Sequence, residues 1–442
     1  MMEKYPKVLI MIETFHKQSG GGITLSNLFE GWDSSRLANA VTIHYWDRIK
    51  TNEHCSNYYF LGNDEYKVSF PFSLYFKVGK SGTIDFNKEK SNSTSVSKLK
   101  IFILNILKPP IRWLIDFFNL SNVIFSMEVS PQFLNWLKDF SPDYIYVQPS
   151  GRTNMNFFKK LHAISGVTLV MHIMDDWQNA KNSGFLTNYW KRKIEKEFRE
   201  LLDMSSVYLS ISEGMSEEYY KRYGKVFIPF HNTIELSKWL PYSKKTIIID
   251  NNEVKILYAG RIGIGTNHAF FDLINVIEEL NKQFQIKISI NIQTTDVEQS
   301  LIKKLLEYKC VSFNPFAEYS ELPKIFASYD LLILPIDFEI NGLNYLKFSM
   351  PTKVPEFMIS GTPILLYCSE QVYLHSHAKK HNWAYVIDKN DPQNIKKGIL
   401  ELISNEEIRK SISETAVNFA KKNYDSELVR RKFLLNFPKK NI

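Results

Sequence analysis

The stretch "VKILYAGRIGIGTNHAFFDLINVIEEL", Val254–Leu280, joins a continuous apolar run, a loop with three glycines and an amphipathic segment. Such a run is typical of a parallel strand that is covered on both faces. Because a parallel strand returns to its sheet through a helix, we interpret this stretch as the strand–loop–helix start of a doubly wound domain.

The same order of elements occurs in "KVLIMIETFHKQSGGGITLSNLFEGW" at residues 7–32. This stretch predicts a strand, a glycine-rich loop at Gly20–Gly22 and a helix that Thr24 caps. The repeated plan indicates an α/β fold of two Rossmann-like, doubly wound domains. Further apolar runs predict strands that run into loops at Asp143–Gln148, Val167–Trp177, Val207–Met215, Ile286–Gln293, Asp330–Ile336 and Pro363–Tyr367.

The length of 442 residues is too great for one hydrophobic core, which also favours two large domains. Apolar periodicity fades at residues 234–253, where Pro, Ser and Lys gather as in a linker. We therefore expect a first domain at residues 1–235, a second at 236–415 and terminal helices at 416–442.

The composition is that of an ordinary soluble globular protein, with 44% hydrophobic and 23% charged residues, and it excludes global disorder. The net charge of +8 favours anionic partners, but the lysines are too dispersed to indicate nucleic-acid binding. Three widely spaced cysteines are typical of a reduced compartment. With no uncharged apolar run near the roughly 20 residues that span a bilayer, we expect a cytoplasmic protein.

Residues 101–120, "IFILNILKPPIRWLIDFFNL", are both basic and apolar. One interpretation is two short helices that pack inside the first domain. The other is a patch at residues 97–120 that touches the inner face of the plasma membrane. In that case four basic residues would bind the anionic lipid headgroups: Lys98, Lys100, Lys108 and Arg112.

The segment "YLKFSMPTKVPEFMISGTPILLY" at residues 345–367 places polar side chains where a helix begins. A helix that starts near Thr352 has unpaired backbone N–H groups and a partial positive charge at that end. Ser349, Thr352 and Lys353 would then surround an anion site, and Glu356 could accept hydrogen bonds from vicinal hydroxyls such as those of ribose. In the simpler interpretation Thr352 caps the helix, Lys353 is solvated and Glu356 complements the helix dipole.

The loop "YAGRIGIGTNH" is a second candidate anion site. Its glycines, beginning with Gly260, let the backbone approach a ligand, and Arg261 offers a planar fork to phosphate oxygens. The spacing G-x-x-G-x-G differs from the dinucleotide fingerprint. It counts against a nicotinamide cofactor without excluding one, since Asp296 follows the next strand. A plain turn with a solvated Arg261 is the alternative.

The motif "HIMDDW" places His172, Asp175 and Asp176 at the end of a predicted strand, where open α/β sheets bind ligands. Capping of a following helix is the structural alternative. A metal site is disfavoured, because one histidine and adjacent carboxylates lack a recognised ligand spacing.

Seven motifs occur in an order that resembles the retaining GT-B glycosyltransferases of the glycogen synthase- and sucrose synthase-like family, which includes many bacterial surface-polysaccharide enzymes. They are "GGGI", "HIMDDW", "SISEGM", "FHNTIE", "YAGRIG", "ELPKIFASYDLLILP" and "SMPTKVPEFMISGTPIL". The resemblance implies the GT-B arrangement, in which the two Rossmann-like domains face a central cleft and a terminal helix returns to the first domain. It also implies a nucleotide-diphosphate-sugar donor in the second domain and a saccharide or lipid-linked saccharide as acceptor.

The resemblance further implies roles for individual residues. The donor site would comprise Gly260, Arg261, Thr266, Ser349, Thr352, Lys353 and Glu356, with Arg261 and Lys353 on the diphosphate and Glu356 on the ribose. The transferred sugar would lie near the catalytic candidates His172 and Asp175, and the loop glycines Gly21 and Gly22 would face the donor or the acceptor. No cofactor or metal is expected, because the chain has no D-x-D motif and the two cations would replace a divalent ion.

Two positions depart from the family's usual pattern. Thr266 stands where the family usually has a lysine, and Phe348 stands where it usually has a glutamate. Two other functions therefore stay open: a nucleotide-sugar epimerase of the same architecture, and a non-catalytic partner of a glycosyltransferase.

Overall fold

The computed structural model contains two parallel β-sheets flanked by helices, so the predicted α/β fold with two Rossmann-like domains is confirmed. It describes residues 5–17, 20–46, 48–49, 53–74, 76, 78–84, 113–115, 117–178, 184–249, 253–263, 265–284, 286–294 and 298–438. The basic candidates Lys98, Lys100, Lys108 and Arg112, and the acidic candidate Asp296, lie outside these residues.

The N-terminal half forms an eight-stranded sheet in the spatial order β10-β9-β8-β7-β1-β2-β3-β5, in which only β5 is antiparallel to its neighbour. A separate antiparallel ribbon pairs β4 with β6. The strands are β1 (Val8–Ile12), β2 (Leu37–Val41), β3 (Asn57–Phe60), β4 (Tyr66–Val68), β5 (Gly82–Thr83), β6 (Phe125–Met127), β7 (Tyr144–Val147), β8 (Thr168–Ile173), β9 (Ser205–Ser210) and β10 (Ile228–Pro229).

The C-terminal sheet has six parallel strands in the order β13-β12-β11-β14-β15-β16. In each sheet the first strand lies between its two halves, so the strand order reverses beside β1 and beside β11, where such folds bind ligands. The strands are β11 (Glu253–Ala259), β12 (Lys287–Gln293), β13 (Val311–Phe313), β14 (Leu331–Pro335), β15 (Ile364–Tyr367) and β16 (Tyr385–Ile387).

Helices cover both faces of each sheet. Among the described residues, none of them is both long and apolar enough to cross a membrane. The helices that follow the N-terminal strands are α1 (Gly20–Phe29), α2 (Ile43–Trp46), α3 (Ser121–Ile124), α4 (Pro131–Phe140), α5 (Arg152–Ser165), α6 (Thr187–Met204) and α7 (Glu213–Tyr223). Those further along the chain are α8 (Leu236–Trp239), α9 (Asn267–Gln283), α10 (Gln299–Leu305), α11 (Leu322–Ala327), α12 (Ile340–Leu346), α13 (Lys353–Ser360), α14 (Tyr373–His381), α15 (Pro392–Ser404), α16 (Glu406–Asn423) and α17 (Ser426–Leu434).

The glycine-rich stretch after β1 differs from its prediction. Gly20, Gly21 and Gly22 form the first turn of α1 rather than a loop, and Thr24 lies within the helix instead of capping it. A β-carbon added at Gly21 would lie 2.6 Å from Glu13 Oε2, and one at Gly22 would lie 2.4 Å from the His16 ring. The missing side chains therefore let the segment after β1 pack directly on the helix, and that packing outweighs the poor helix propensity of glycine.

The chain crosses back to the N-terminal domain after α16. Residues Ile234 and Asp425 form a parallel β-bridge at this crossing. On the far side Phe433 of α17 is fully buried, with its ring 5.1 Å from the ring of Phe29 in α1. Helix α17 thus covers the core layer beneath α1.

Candidate active site

The loop after β11 meets the start of α13 at the point where the C-terminal strand order reverses. Gly260 has a φ of +155°, and a β-carbon there would lie 3.9 Å from Lys353 Cε. The carbonyl of the next residue, Arg261, accepts a hydrogen bond of 2.7 Å from the Tyr258 hydroxyl, while the Arg261 side chain is exposed. The structure therefore brings together Gly260, Arg261 and Lys353, three of the predicted donor-site residues.

The start of α13 also faces the N-terminal domain. Thr352 stands at the N-cap position, but its hydroxyl makes no capping hydrogen bond. That hydroxyl lies instead against α1, 2.5 Å from where a β-carbon of Gly20 would be. The simpler interpretation of Thr352 as a cap is therefore wrong, and this end of the helix lies at the boundary between the domains.

Glu356 has no exposed surface, and its two oxygens differ in their partners. Oε1 accepts hydrogen bonds from the Tyr319 hydroxyl at 2.7 Å and from Asn232 Nδ2 at 3.2 Å. Oε2 is buried without a partner in the part of the chain that the structure describes. Burial raises the pKa of this carboxyl, and the nearby Lys353 lowers it. A buried unpaired acceptor is costly, so Oε2 is available for a ligand that donates hydrogen bonds.

A polar network joins Glu356 to the segment after β1. Asn232, which also donates to the Thr352 carbonyl at 3.0 Å, accepts from Asn27 Nδ2 at 2.8 Å. Asn27 in turn accepts from Lys17 Nζ at 2.8 Å, and Lys17 Nζ lies 4.9 Å from the centre of the Tyr319 ring. Burial lowers the pKa of Lys17. This network connects the two domains beside the predicted ribose contact.

Asp175 follows β8 and contacts the residues that precede α13. Its oxygens accept from the Tyr345 hydroxyl and from the Ser349 hydroxyl, each at 3.4 Å. Burial raises the pKa of Asp175, while these two hydrogen bonds and the charge of Arg261 lower it. Asp175 is thus a partly buried carboxylate beside the arginine of the donor loop. Ser349, predicted among the donor-site residues, faces this aspartate.

His172, the other catalytic candidate, is buried near the end of β8, and its catalytic role stays a prediction. It belongs to β8 and has no exposed surface, and its Nδ1 lies 2.5 Å from the Tyr146 hydroxyl. Burial lowers the pKa of His172 to about 4. All residues of β8 after Thr168 are buried, and His172 Nε2 has no hydrogen-bond partner among the described residues.

Thr266 is likewise engaged within its own loop. Its hydroxyl accepts from the backbone N–H of Gly263 at 3.2 Å and donates to the Gly263 carbonyl at 3.3 Å. The following helix, α9, is capped from a distance, because Asp337 Oδ1 accepts from the Ala269 N–H at 2.9 Å. The first turn of α9 is therefore partly occupied by a carboxylate.

Phe348, the residue at the family's glutamate position, connects the domains. Its carbonyl accepts from the Ser212 hydroxyl at 2.6 Å, and its ring packs on the N-terminal core. The Arg222 guanidinium lies 5.5 Å from that ring and also binds Asp176 through both carboxylate oxygens, at 3.0 and 3.1 Å. Asp176, the second aspartate of the "HIMDDW" motif, thus forms an ion pair with Arg222.

Four contributors to the cleft were not identified as site residues from the sequence: Lys17, Asn232, Tyr319 and Tyr345. Asn232 lies in the quoted motif "FHNTIE", and Tyr345 opens the segment of residues 345–367. No sequence motif marks Lys17 or Tyr319. Their contacts, with each other and with Glu356, join residues that are far apart in sequence.

Comparisons with known proteins agree with this arrangement. Residues 253–405 match the family described as "Glycosyl transferases group 1". Sucrose-phosphate synthase from Thermosynechococcus elongatus superposes with a TM-score of 0.62 at 10% identity, covering 96% of this chain and 97% of that one. Anabaena Alr3699/HepE in complex with UDP-glucose gives 0.59 at 11% identity, with 97% and 98% covered. A mutant of S. aureus TarM, in complex with Fondaparinux, alpha-GlcNAc-glycerol and UDP, gives 0.60 at 11% identity, with 98% and 100% covered.

No curated protein sequence is significantly similar to this chain. At these identities the solved structures establish the fold, and the family match concerns the C-terminal domain. The class of enzyme that this fold and this domain define is the glycosyltransferases, as the sequence predicted.

Proposed function

We propose that the protein transfers a sugar from a nucleotide-diphosphate donor to a saccharide or lipid-linked saccharide, in the assembly of a bacterial surface polysaccharide such as a capsule, an O-antigen or an exopolysaccharide. The observation that carries the proposal is the closeness of Gly260, in the Arg261 loop, to Lys353, whose charge also acts on Glu356 with its unpaired Oε2. A lysine that would bind phosphate and a carboxylate that would bind ribose are then neighbours.

The chemistry of transfer requires these charges. As the glycosidic bond breaks, negative charge develops on the departing diphosphate. Fixed cations stabilise that charge without reorganising during the reaction. Arg261 would bind phosphate oxygens with its planar fork and Lys353 as a point charge. On this basis we propose a metal-independent reaction, with activity that is unchanged after treatment with EDTA.

Asp175 would stand at the transferred sugar. It is the acidic side chain beside Arg261, and the hydroxyls of Tyr345 and Ser349 hold its two oxygens. Following the resemblance to retaining enzymes, we propose that the product keeps the anomeric configuration of the donor. Proton NMR of the anomeric proton at the new glycosidic bond distinguishes retention from inversion.

The first experiment is a thermal-shift screen with UDP, GDP, ADP, CMP and TDP. A ligand that binds only the native state raises the melting temperature by mass action. The variant Glu356→Gln should lose most of the shift, while Glu307→Gln, at an exposed glutamate of the same domain, should keep it. The sugar derivatives of the stabilising nucleotide are then incubated with and without saccharide acceptors. Absence of any shift and of any transfer would reject the proposal, and a new sugar formed without acceptor would indicate an epimerase.

We also propose peripheral contact with an anionic membrane through the described part of residues 97–120. Trp113 and Phe117 are 60% and 42% exposed, and their rings stack with centroids 5.1 Å apart. Phe185, 57% exposed, joins them through a hydrogen bond from its N–H to the Phe117 carbonyl. Such an aromatic group beside basic residues is typical of surfaces that bind the membrane interface. Sedimentation with anionic liposomes should fall in the Trp113→Ser/Phe117→Ser variant and should be unaffected in Phe316→Ser, at an exposed phenylalanine of the other domain.

A further inference from the structure

A charged cavity of about 570 Å³ adjoins the Asp175 end of the cleft. Both domains line it: α6 and α7 on the N-terminal side, and the end of α12 with the residues that follow it on the other. Its lining includes Asp176 and Phe348, which directly adjoin Asp175 and Ser349 in the sequence. The cavity is therefore next to the place where the sugar would be transferred.

The charges that line the cavity do not balance. Asp176 is paired with Arg222 at 3.0 Å, and Glu195 is paired with Arg199 at 2.8 Å. The remaining charged lining residues are Lys191, Arg192 and Lys347, all of them cations and all exposed. No carboxylate of the described residues lies within ion-pair distance of these three.

The cavity wall also offers an unused hydrogen-bond donor. The Tyr223 hydroxyl donates to Gln178 Oε1 at 2.8 Å, while Gln178 Nε2 is buried without a partner among the described residues. Lys347 Nζ lies 5.4 Å from the centre of the Phe348 ring, so the apolar part of the wall is contiguous with its cations. Three uncompensated cations and a free amide donor, contributed by two domains, favour an anion that bridges them.

We propose that this cavity binds an anionic group of the acceptor, either a phosphate or a carboxylate, and so selects acidic acceptors over neutral ones. The inference rests on the proposed transferase function and specifies its acceptor. Because Lys191 and Arg192 belong to the N-terminal domain and Lys347 to the C-terminal domain, an acidic acceptor would also hold the two domains together around the site.

The test uses the full chain with Arg261→Ala/Lys353→Ala as background, which removes the two cations of the donor site. Geranyl diphosphate and methyl glucuronide are titrated separately by calorimetry, the first as a lipid phosphate and the second as an acidic sugar. Adding Lys191→Gln/Arg192→Gln/Lys347→Gln should weaken binding of the anion at least tenfold, since each charge-assisted hydrogen bond contributes about that factor. Adding Lys196→Gln, an exposed lysine of α6 outside the cavity lining, should leave binding unchanged.

Binding of either probe to the background protein, lost in the triple glutamine variant, supports the proposal, and the probe that binds identifies the kind of acidic group. The proposal is overturned if neither probe binds, or if binding survives the triple substitution while thermal melting shows that all variants are folded. Nucleotide binding by the unmodified protein is measured in parallel. Its absence rejects the proposed transferase function, whatever the anion titration gives.

Discussion

The units β1–α1 and β11–α9 follow one sequence plan but use their glycines differently. After β1, Gly21 and Gly22 lie inside a helix, and the side chains of Glu13 and His16 pack against them. After β11, Gly260 and Gly263 precede the helix, and nothing lies within 4 Å of a β-carbon added at Gly263. The position of the glycines relative to the helix start thus decides whether a similar loop becomes a packing surface or an open binding surface.

The same contrast extends to the polar residues of the two domains. In the N-terminal domain His172 is buried in its strand. In the C-terminal domain Lys353 and Arg261 lie beside the cleft, where they can meet a ligand. If the comparison is correct, substitutions in the first set should change stability and those in the second should change turnover.

The largest effect is expected from Lys353→Ala. Removing one preorganised charge from a transition-state site costs about 2.7–4 kcal/mol of activation free energy, which is about 10²–10³ in kcat. Steady-state kinetics with the donor identified by thermal shift measures this loss, and Lys324→Ala, at an exposed lysine of the same domain, serves as control. Turnover near that of the unmodified protein would remove Lys353 from the mechanism.

The next effect concerns His172 and pH. Burial lowers its pKa to about 4 from an ordinary 6.5, so between these values the unfolded chain binds a proton that the folded protein does not. Stability contributed by neutral His172 is therefore present above pH 6.5 and is lost as the pH falls towards 4. The loss amounts to about 3 kcal/mol, at about 1.4 kcal/mol for each unit of pKa difference.

Urea unfolding at pH 4.5 and pH 7.5, compared between the unmodified protein and His172→Gln, isolates this contribution. The variant should show the smaller change in the free energy of unfolding between the two pH values. An equal change in both proteins would mean that His172 titrates normally and is not confined to the core.

Gly22→Ala tests the packing role of the α1 glycines. The added β-carbon would lie 2.4 Å from the His16 ring. Overpacking of this kind costs more than the gain of about 1 kcal/mol in helix propensity, so we expect a net loss of about 1–2 kcal/mol. Gly263→Ala in the other unit meets no neighbour and should change the free energy of unfolding by less than about 0.5 kcal/mol. Equal effects at the two glycines would contradict the comparison.

The smallest effect is expected from Asp337→Ala, which removes the cap of α9. Loss of a capping side chain costs about 1 kcal/mol. Asp337→Asn keeps an acceptor for the Ala269 N–H and should retain most of the stability. If the alanine variant is as stable as the asparagine variant, then Asp337 does not hold the first turn of α9.

The strands and their parallel arrangement could be predicted because a short continuous apolar run between polar loops is typical of a strand that is buried on both faces. The start of α1 could not be predicted, since the packing of Glu13 and His16 that stabilises a glycine-rich turn is not a local property. The full burial of His172 could not be predicted, because the motif "HIMDDW" does not show that its strand is covered on both faces. The cap of α9 by Asp337 and the contact of Lys17 with Tyr319 depend on residues far apart in sequence, and only the fold brings them together.

The return of α17 to the N-terminal domain has a consequence for synthesis of the protein. Phe433 and Phe437 are part of the core layer beneath α1, together with Phe29 and Tyr146. A ribosome delivers α1 hundreds of residues before α17, so the apolar surface under α1 stays uncovered during most of translation. We expect the first domain to be made early but completed late, with a period in which its nascent form depends on chaperones to avoid aggregation.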